Sequence, residues 1–200
     1  MTKSDTTRAR LLARGLDTVS VGGLGGLTLG RLAEASGMSK SGLYAHFGSK
    51  EQLQIALLDE ATRAADRAVV APAMASPEGL PRLRALVEGW LGWPPRAGLG
   101  GGCPIAAALF ELDDIAGEVR EHVAALEGRW RALLADLTQQ AVALGHLCGD
   151  LDVDQFVFEL CGLYLSHHAS SRFLRDPAAL VRARTAFAAL IERAQGAQAR

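Results

Sequence analysis

The sequence predicts an all-α protein of about nine helices. Apolar residues recur at helical spacing along nearly the whole chain, whereas no run of alternating β-branched residues is long enough to predict a strand. Gly and Pro interrupt the helical pattern in short clusters, such as GGLGG at 22–26 and WPP at 93–95. With 200 residues, of which 49% are hydrophobic, the chain can bury a substantial core without disulfides.

Leucine spacing and capping residues define the first two helices. Helix 1 is predicted over about residues 5–18, with leucines on one face and arginines, Arg8 among them, projecting outward. Thr28 is a suitable N-cap for helix 2 because its hydroxyl can accept from the first turn. A glycine in the C′ position then ends helix 2 after Ser36.

Helices 3 and 4 are predicted from two serine caps. Ser39 begins a short third helix that ends near Phe47, where another glycine follows. The motif SKEQ is a capping box, in which the Ser49 hydroxyl accepts from the Gln52 amide while the Gln52 side chain reaches back. Helix 4 is therefore expected to begin there and to continue to about Val70.

The rest of the chain divides into five further predicted helices. APAMASP at 71–77 is predicted to be a connector, and Pro77 suits the first turn of the helix that follows. Each later boundary coincides with Gly, Pro or an Asp in a capping position. The predicted bounds are about 77–93, 103–112, 115–144, 152–173 and 176–194.

Basic residues concentrate near the N-terminus although the net charge is −1. Residues 1–50 contain seven Lys or Arg and three acids, and every lysine of the chain lies among them. The other 150 residues contain 14 basic and 19 acidic groups. This asymmetry favours a basic head, suited to phosphate, on an acidic body. Chance segregation of a few lysines remains the alternative.

The remaining composition predicts a cytoplasmic protein without metal or cofactor. Three widely spaced cysteines form neither a disulfide framework nor a zinc motif, and the histidines lack metal-ligand spacing. The first ten residues contain no apolar segment of the secretory type. Gly or Pro interrupts the charge-free stretches before they reach membrane-spanning length, so no membrane partner is expected.

Residues 27–53 show the pattern of a helix-turn-helix. Ala33 is a small residue at the position where the two helices would cross, and Gly37 would form the turn between them. Leu43 would provide the apolar contact that holds the two helices together. The third helix begins with SKSG, and small polar residues suit the end of a recognition helix that meets bases in the major groove. Gly42 removes a side chain at the closest approach, and Lys40 suits either a phosphate or a guanine.

Three further residues could contact phosphate oxygens. Tyr44 and His46 can donate hydrogen bonds, and Lys50 adds its charge to the positive end of helix 4. Phe47 is instead predicted to lie in the core, because its spacing matches that of Leu43. Packing alone remains an alternative for Tyr44, and an exposed position without a role remains one for His46.

The segment LTLGRLAEASGMSKSGLYAHFGSKEQL at 27–53 resembles the N-terminal signature of the TetR family of transcription regulators. The resemblance covers about 45 residues and includes the turn glycine, the serine-capped third helix and the lysine–glutamate start of helix 4. Gly30 and the glycine-rich turn before helix 2 depart from the family pattern. The resemblance implies a DNA surface formed by Thr28, Ser39, Lys40, Gly42, Tyr44, His46 and Lys50.

The resemblance also implies the domain organisation. A three-helix DNA-binding domain at 1–50 would precede a larger helical effector-binding and dimerisation domain at 51–200. Members form homodimers through their last two helices, and a dimer on double-stranded DNA implies a partly palindromic operator. The apolar stripes of those helices give the expected interface residues, which are Phe156, Leu160, Leu163, Phe187, Leu190 and Ile191.

The helices between head and interface are expected to enclose a pocket for a small-molecule effector. The candidate lining is apolar, which predicts a hydrophobic or aromatic effector. The alternative is that these residues are ordinary core. They are Trp90, Trp93, Cys103, Leu109, Phe110, Trp130 and Leu134.

Cys103 carries the main alternatives to an effector-controlled regulator. It lies at the predicted N-cap of a short helix, where the positive helix end would lower the pKa of a thiol, so a sensor of oxidants or electrophiles is one alternative. A packed cysteine in a tight turn is another. An enzyme with Cys103 as nucleophile lacks a recognisable orienting group, and a helical module without DNA binding is the last alternative. The leading hypothesis is a ligand-responsive regulator, a repressor by family default.

Overall fold

The structure, a computed structural model, describes residues 3–196, apart from the side chains of residues 3–5, 31 and 35. Within that range it contains helices and no strand, so the all-α prediction is confirmed. The α-helices are α1 (Lys3–Gly22), α2 (Leu29–Ser36), α3 (Lys40–Phe47), α4 (Lys50–Ala65), α5 (Ala71–Met74), α6 (Leu80–Trp90), α7 (Trp93–Arg96), α8 (Pro104–Glu111), α9 (Glu118–Ala143), α10 (Val153–Arg172) and α11 (Ala179–Ala194).

The predicted connector at 71–77 is wrong in its first half. A π-helical turn, Asp66–Val70, joins α4 to α5, so the chain stays helical to Met74. The amide of Ala71 donates to the carbonyl of Asp66, five residues back. This wider turn accommodates Pro72, which has no amide to donate and would crowd an α-helical carbonyl.

Two proline-containing boundaries also differ from the prediction. α6 begins at Leu80 instead of residue 77, after Gly79 has turned the chain with a φ of +79°. WPP does not simply end a helix, because Pro94 and Pro95 occupy the first turn of α7, where amides need no intrahelical partner. α7 is a helix that the sequence pattern did not predict.

Contacts divide the chain into two compact units. The first extends to Ala64 and also contains Pro94–Glu127. It therefore holds the predicted 1–50 head together with nearly all of α4, the last three residues of α7, α8 and the first turns of α9. The second contains Ala65–Trp93 and the chain from Gly128 onward.

In the first unit, α1 packs against α2 and α8, and α2 packs against α3. A methyl group added to Gly15 would lie 2.7 Å from Leu57 Cδ2, so α1 and α4 approach closely at this glycine. The buried apolar side chains of the head include Leu11, Leu12, Leu16, Leu32, Leu43 and Leu53. This core holds the short helices α2 and α3, which are too short to be stable alone.

The two glycine-rich stretches of the first unit are anchored by hydrogen bonds. The turn after α1 donates the amides of Leu24 and Gly25 to the carboxylate of Glu111, at 3.3 and 2.8 Å. The loop before α8 binds the end of α1, because Gly101 N donates to Ser20 Oγ at 3.0 Å. Gly102 N also donates to the Ser20 carbonyl, at 2.8 Å. Neither stretch is a free linker.

Candidate nucleic-acid interface and effector site

The turn between α2 and α3 has the geometry that the sequence predicted. Gly37 adopts a φ of +65°, a conformation that glycine reaches without steric cost. Its amide donates to the Glu34 carbonyl at 3.1 Å, and the amide of Met38 donates to the Ala33 carbonyl at 2.9 Å. Ala33 is buried where the two helices meet. This is a helix-turn-helix.

The start of α3 is fixed by its serine cap. Ser39 Oγ accepts from the amide of Gly42 at 3.1 Å and lies 3.0 Å from Ser41 Oγ. Lys40 and Ser41 are exposed, as the end of a recognition helix requires. Gly48, with a φ of +78°, ends the helix, as predicted.

α3 has one buried face and one exposed face. Leu43 and Phe47 are buried, as predicted, and hold the helix to the head. Tyr44, the next residue after Leu43, is 50% exposed and can reach a partner outside the protein. His46 is half-buried, so its ring is less available than that of Tyr44. Lys50 is exposed in the first turn of α4.

Thr28 and Gly42 complete the predicted DNA surface. Thr28 is exposed immediately before α2, where its carbonyl accepts from Leu32 N at 3.1 Å. A methyl group added to Gly42 would lie 3.3 Å from Ser39 Oγ, which is close but tolerable within the protein. The head thus presents these two residues with Ser39, Lys40, Tyr44 and Lys50 at or near its surface, and whether they bind DNA stays a prediction.

Arg8 does not project outward as predicted. Its side chain is half-buried, with the guanidinium carbon 4.5 Å from the centre of the Phe47 ring. Arg8 Nη1 also donates to the carbonyl of His46 at 2.8 Å. A cation over an aromatic face and at a helix C-terminus is favourable on both counts. Arg8 therefore holds the end of α3, a role that only the tertiary structure reveals.

The capping box at Ser49 forms only in part. Ser49 Oγ accepts from the Gln52 amide at 3.0 Å, as predicted. The Gln52 side chain instead donates to Glu118 Oε2 at 3.1 Å, on the first turn of α9. The pKa of Glu51 is lowered by hydrogen bonds from its own backbone amide and from Ser49. The first turn of α4 is thus held by Ser49 and by a contact with α9.

Four of the predicted pocket residues lie in the second unit. The Trp90 ring stacks on Tyr164 at 4.0 Å between centroids and meets Trp130 edge-on at 4.9 Å. Trp93 is buried and donates from Nε1 to the Tyr164 hydroxyl at 3.1 Å. Leu134 is buried in the same unit. Sequence spacing missed Tyr164, which is the residue that joins the tryptophans.

The other three predicted pocket residues lie on or next to α8, in the first unit. Cys103 is 6% exposed and forms the predicted N-cap, with the amide of Ala106 donating to its sulfur at 3.5 Å. Leu109 is half-buried. Phe110 is 61% exposed, so its place in an interior pocket was wrong for this conformation of the chain. Because the segment CPIAAALFEL is apolar on more than one side of the helix, its sequence could not show which side faces the core.

The residues predicted to form the dimer interface face the interior of their own protomer. Phe156, Leu160, Phe187, Leu190 and Ile191 are buried, and Leu163 is half-buried. Their own protomer already covers the five buried residues, so the assignment of those residues to a surface was wrong. The exposed large apolar side chains of this region are different residues, namely Phe158, Phe173, Leu174 and Val181.

Together the turn, the serine cap and the two faces of α3 define a helix-turn-helix DNA-binding protein that carries a second helical unit. Residues 9–57 match the family described as bacterial regulatory proteins, tetR family. Residues 79–187 match the tetracyclin repressor-like C-terminal domain. The chain therefore belongs to the TetR family of transcriptional regulators, whose partners are operator DNA, a small effector and a second copy of the chain.

Solved structures agree with this membership. A TetR regulator from Chloroflexus aurantiacus is 28% identical, with 96% of each chain covered and a TM-score of 0.86. The regulator AibR, solved with isovaleryl coenzyme A and operator DNA, is 25% identical over 81% of this chain and 85% of its own, with a TM-score of 0.65. A TetR-family regulator from Streptomyces coelicolor shares the fold at 22% identity, with 94% of this chain and 96% of that chain covered and a TM-score of 0.80.

Comparison with curated protein sequences finds no significant match. Among residues 3–196, no helix is both long enough and apolar enough to cross a membrane.

Proposed function

We propose that this regulator is a repressor that leaves a partly palindromic operator when a small hydrophobic or aromatic molecule binds its C-terminal domain. The observation that carries the proposal is the division of α3 into a buried face, with Leu43 and Phe47, and an exposed face, with Lys40 and Tyr44. The relative AibR, solved with both an acyl coenzyme A and operator DNA, supports the pairing of the two ligands on this fold.

In this proposal the exposed face of α3 enters the major groove. Ser39, Lys40 and Gly42 lie nearest the base edges, because the N-terminal end of a recognition helix points into the groove. Tyr44 and Lys50 bind phosphate oxygens on either side and fix the register of the head. His46 and Thr28 add polar contacts at the edge of this surface. Arg8 supports α3 from within and is not counted among the phosphate ligands.

The dimer that two half-sites require would use the exposed side of α10 and α11. Phe158 of α10 and Phe173, the residue that follows α10, are 67% and 85% exposed, and a methyl group added to Gly162 of α10 would meet open space. Val181 of α11 is also exposed. Such large exposed apolar side chains favour burial against a second copy. Two heads about 34 to 36 Å apart would then read successive major grooves.

The effector would act by differential affinity. It binds the protein better in a conformation whose two heads do not fit successive grooves, and so draws the population away from DNA. The buried Trp90 and Trp93 and the half-buried Trp130 of the second unit, with Leu134, are the proposed contact region. Cys103 and Leu109 belong to the first unit and are secondary candidates.

Fluorescence anisotropy with DNA from upstream of the protein's own gene tests the DNA-binding part. Lys40→Ala and Tyr44→Ala should each weaken binding by about tenfold or more, because each removes a charged or polar DNA contact. Arg129→Ala, which changes an exposed arginine of α9, is the matched control and should bind like the wild type. Equal loss in all three variants, or binding insensitive to salt, would sink the assignment.

A thiol sensor at Cys103 is the second candidate. Cys103 lies at the N-cap of α8, where the Ala106 amide donates a hydrogen bond to the sulfur. Its burial restricts access by oxidants. The Cys103→Ser variant distinguishes the thiol sensor from the effector-controlled repressor, because full retention of the response to hydrogen peroxide in that variant would exclude the sensor.

A further inference from the structure

The second unit contains a cluster of aromatic rings centred on Trp90. Trp90 stacks on Tyr164 with an interplanar angle of 9° and meets Trp130 edge-on. His167 extends the cluster, with its ring 6.5 Å from that of Tyr164. All three tryptophans of the chain belong to this region, because Trp93 binds the Tyr164 hydroxyl. A flat apolar molecule would find aromatic faces and edges here.

The polar atoms of this cluster fall into two groups. Trp93 Nε1 and the Tyr164 hydroxyl bind each other and are satisfied. Trp130 Nε1 and His167 Nδ1 are buried and have no hydrogen-bond partner among the described residues. A buried N–H without an acceptor loses its hydrogen bond to water and gains nothing in return. Phenylalanine at position 130 would avoid that cost, so folding alone does not explain the indole N–H.

The charges near the cluster restrict what could satisfy these atoms. Burial lowers the pKa of His167, although the backbone at Ala179 opposes the shift, so the ring is neutral at pH 7. The neighbouring His168 also has a lowered pKa, from burial and then from Arg172, whose side chain is exposed at the end of α10. A carboxylate among neutral rings would lose its hydration without a facing cation. An uncharged carbonyl oxygen can accept from an indole without that loss.

We infer that this cluster binds an uncharged, flat, apolar molecule whose carbonyl oxygen accepts a hydrogen bond from Trp130 Nε1. The inference rests on the proposed function, because it specifies the class of effector that the second unit takes. Contacts with the aromatic side chains around Trp90 hold the apolar body of the molecule, and His167 Nδ1 offers a second polar contact. An effector of this class satisfies an atom that the free protein leaves without a partner.

The first experiment measures stability without any ligand. Trp130→Phe removes an unpaired N–H together with part of the indole ring that packs near Trp90, so it should lower the melting temperature by less than the control variant does. Trp93→Phe is the matched control, because it removes a paired N–H together with the same part of the indole ring, so it should lower the melting temperature by several degrees. A loss from Trp130→Phe as large as that from Trp93→Phe would mean that the Trp130 N–H has a partner within the folded protein, and would overturn the inference.

The second experiment compares three probes by equilibrium dialysis against the full-length protein. Acetylnaphthalene carries the carbonyl, ethylnaphthalene has nearly the same shape without it, and naphthoate replaces it with an anion. Acetylnaphthalene should bind about tenfold more tightly than the other two, a difference of about 1.4 kcal/mol. Trp130→Phe should abolish this preference and leave the affinity for ethylnaphthalene unchanged. Trp93→Phe should keep the preference.

Equal binding of acetylnaphthalene and ethylnaphthalene to the wild type, tighter binding of naphthoate, or no binding of any probe would each overturn the inference. Fluorescence anisotropy of the operator complex, measured with the same probes, distinguishes failure of this inference from failure of the proposed function. Preference for acetylnaphthalene without release of DNA would retain the binding site and reject effector control. Release of DNA by acetylnaphthalene and ethylnaphthalene alike would retain effector control and reject the role of Trp130.

Discussion

Gly101→Ala should destabilise the protein strongly, although it adds only one methyl group. That methyl group would lie 1.8 Å from the carbonyl oxygen of Ser20 and 2.4 Å from the amide nitrogen of Val21. Both are backbone atoms of α1, so no rotation of a side chain can relieve the overlap. The loop must lift from the helix.

Lifting the loop breaks the hydrogen bond from Gly101 N to Ser20 Oγ and the bond from Gly102 N to the Ser20 carbonyl. At about 1 kcal/mol for each bond, with a further cost for exposing the buried glycines, the expected loss is about 2 to 3 kcal/mol. Since folded domains are stable by only about 5 to 15 kcal/mol, this is a large fraction of the total. For a chain of this size it corresponds to roughly 5 to 10 °C in melting temperature.

Gly100→Ala is the matched control for this prediction. Its added methyl group would lie 3.3 Å from Asp17 Oδ1 and 3.7 Å from Val21 Cγ2, both of which are side-chain atoms that can move. Urea denaturation followed by circular dichroism, at one protein concentration because a dimer's stability depends on it, measures both variants. A Gly101→Ala midpoint equal to that of the wild type, or an equal loss in Gly100→Ala, would refute the reasoning.

Three further predictions concern the head and the exposed face of α10. Gly42→Ala should change the free energy of unfolding by less than about 1 kcal/mol, because the higher helix propensity of alanine offsets the tight contact with Ser39. It should nevertheless reduce DNA affinity more than tenfold if α3 meets the groove at this residue. DNA affinity equal to that of the wild type in anisotropy would show that α3 does not approach DNA closely at Gly42. Arg8→Met keeps an apolar stem and loses the hydrogen bond and the cation–π contact, so thermal melting should report a loss of about 1 to 2 kcal/mol; an unchanged melting temperature would contradict it. Phe158→Asp should convert the dimer to a monomer in analytical ultracentrifugation, because it places a charge in the proposed interface. Leu144→Asp, a change at another exposed apolar position, should leave the dimer intact. A dimer in both variants would place the interface elsewhere.

Local chemistry explains which features could be predicted from the sequence. The caps at Ser39, Cys103 and Asp152 all form as expected, because each joins a side chain to an amide three residues ahead. The turn at Gly37 is equally local. Such contacts depend on neighbours in the chain, so the motif contains nearly all the information that they require.

The prediction of the interface residues failed because α10 is apolar on two sides. Phe156 and Phe158 are two residues apart and so project in nearly opposite directions from a helix. The spacing of apolar residues identifies both stripes, but it cannot show which one the rest of the protomer covers. The structure buries Phe156 and exposes Phe158. Arg8 illustrates the same limit, because its partner Phe47 lies on another helix.

The 20-residue helix α1 connects the features of the first unit that sequence reasoning had treated separately. Near its start, Arg8 holds the carbonyl of His46 at the end of α3. Near its end, Ser20 holds the loop that leads into α8. A displacement of that loop would therefore reach the recognition helix through a single rigid element, which is a short physical route for an effector signal. Gly101→Ala, which lifts the loop, should consequently lower DNA affinity as well as stability, while Gly100→Ala should leave both nearly unchanged; normal DNA affinity in a folded Gly101→Ala protein would exclude this route.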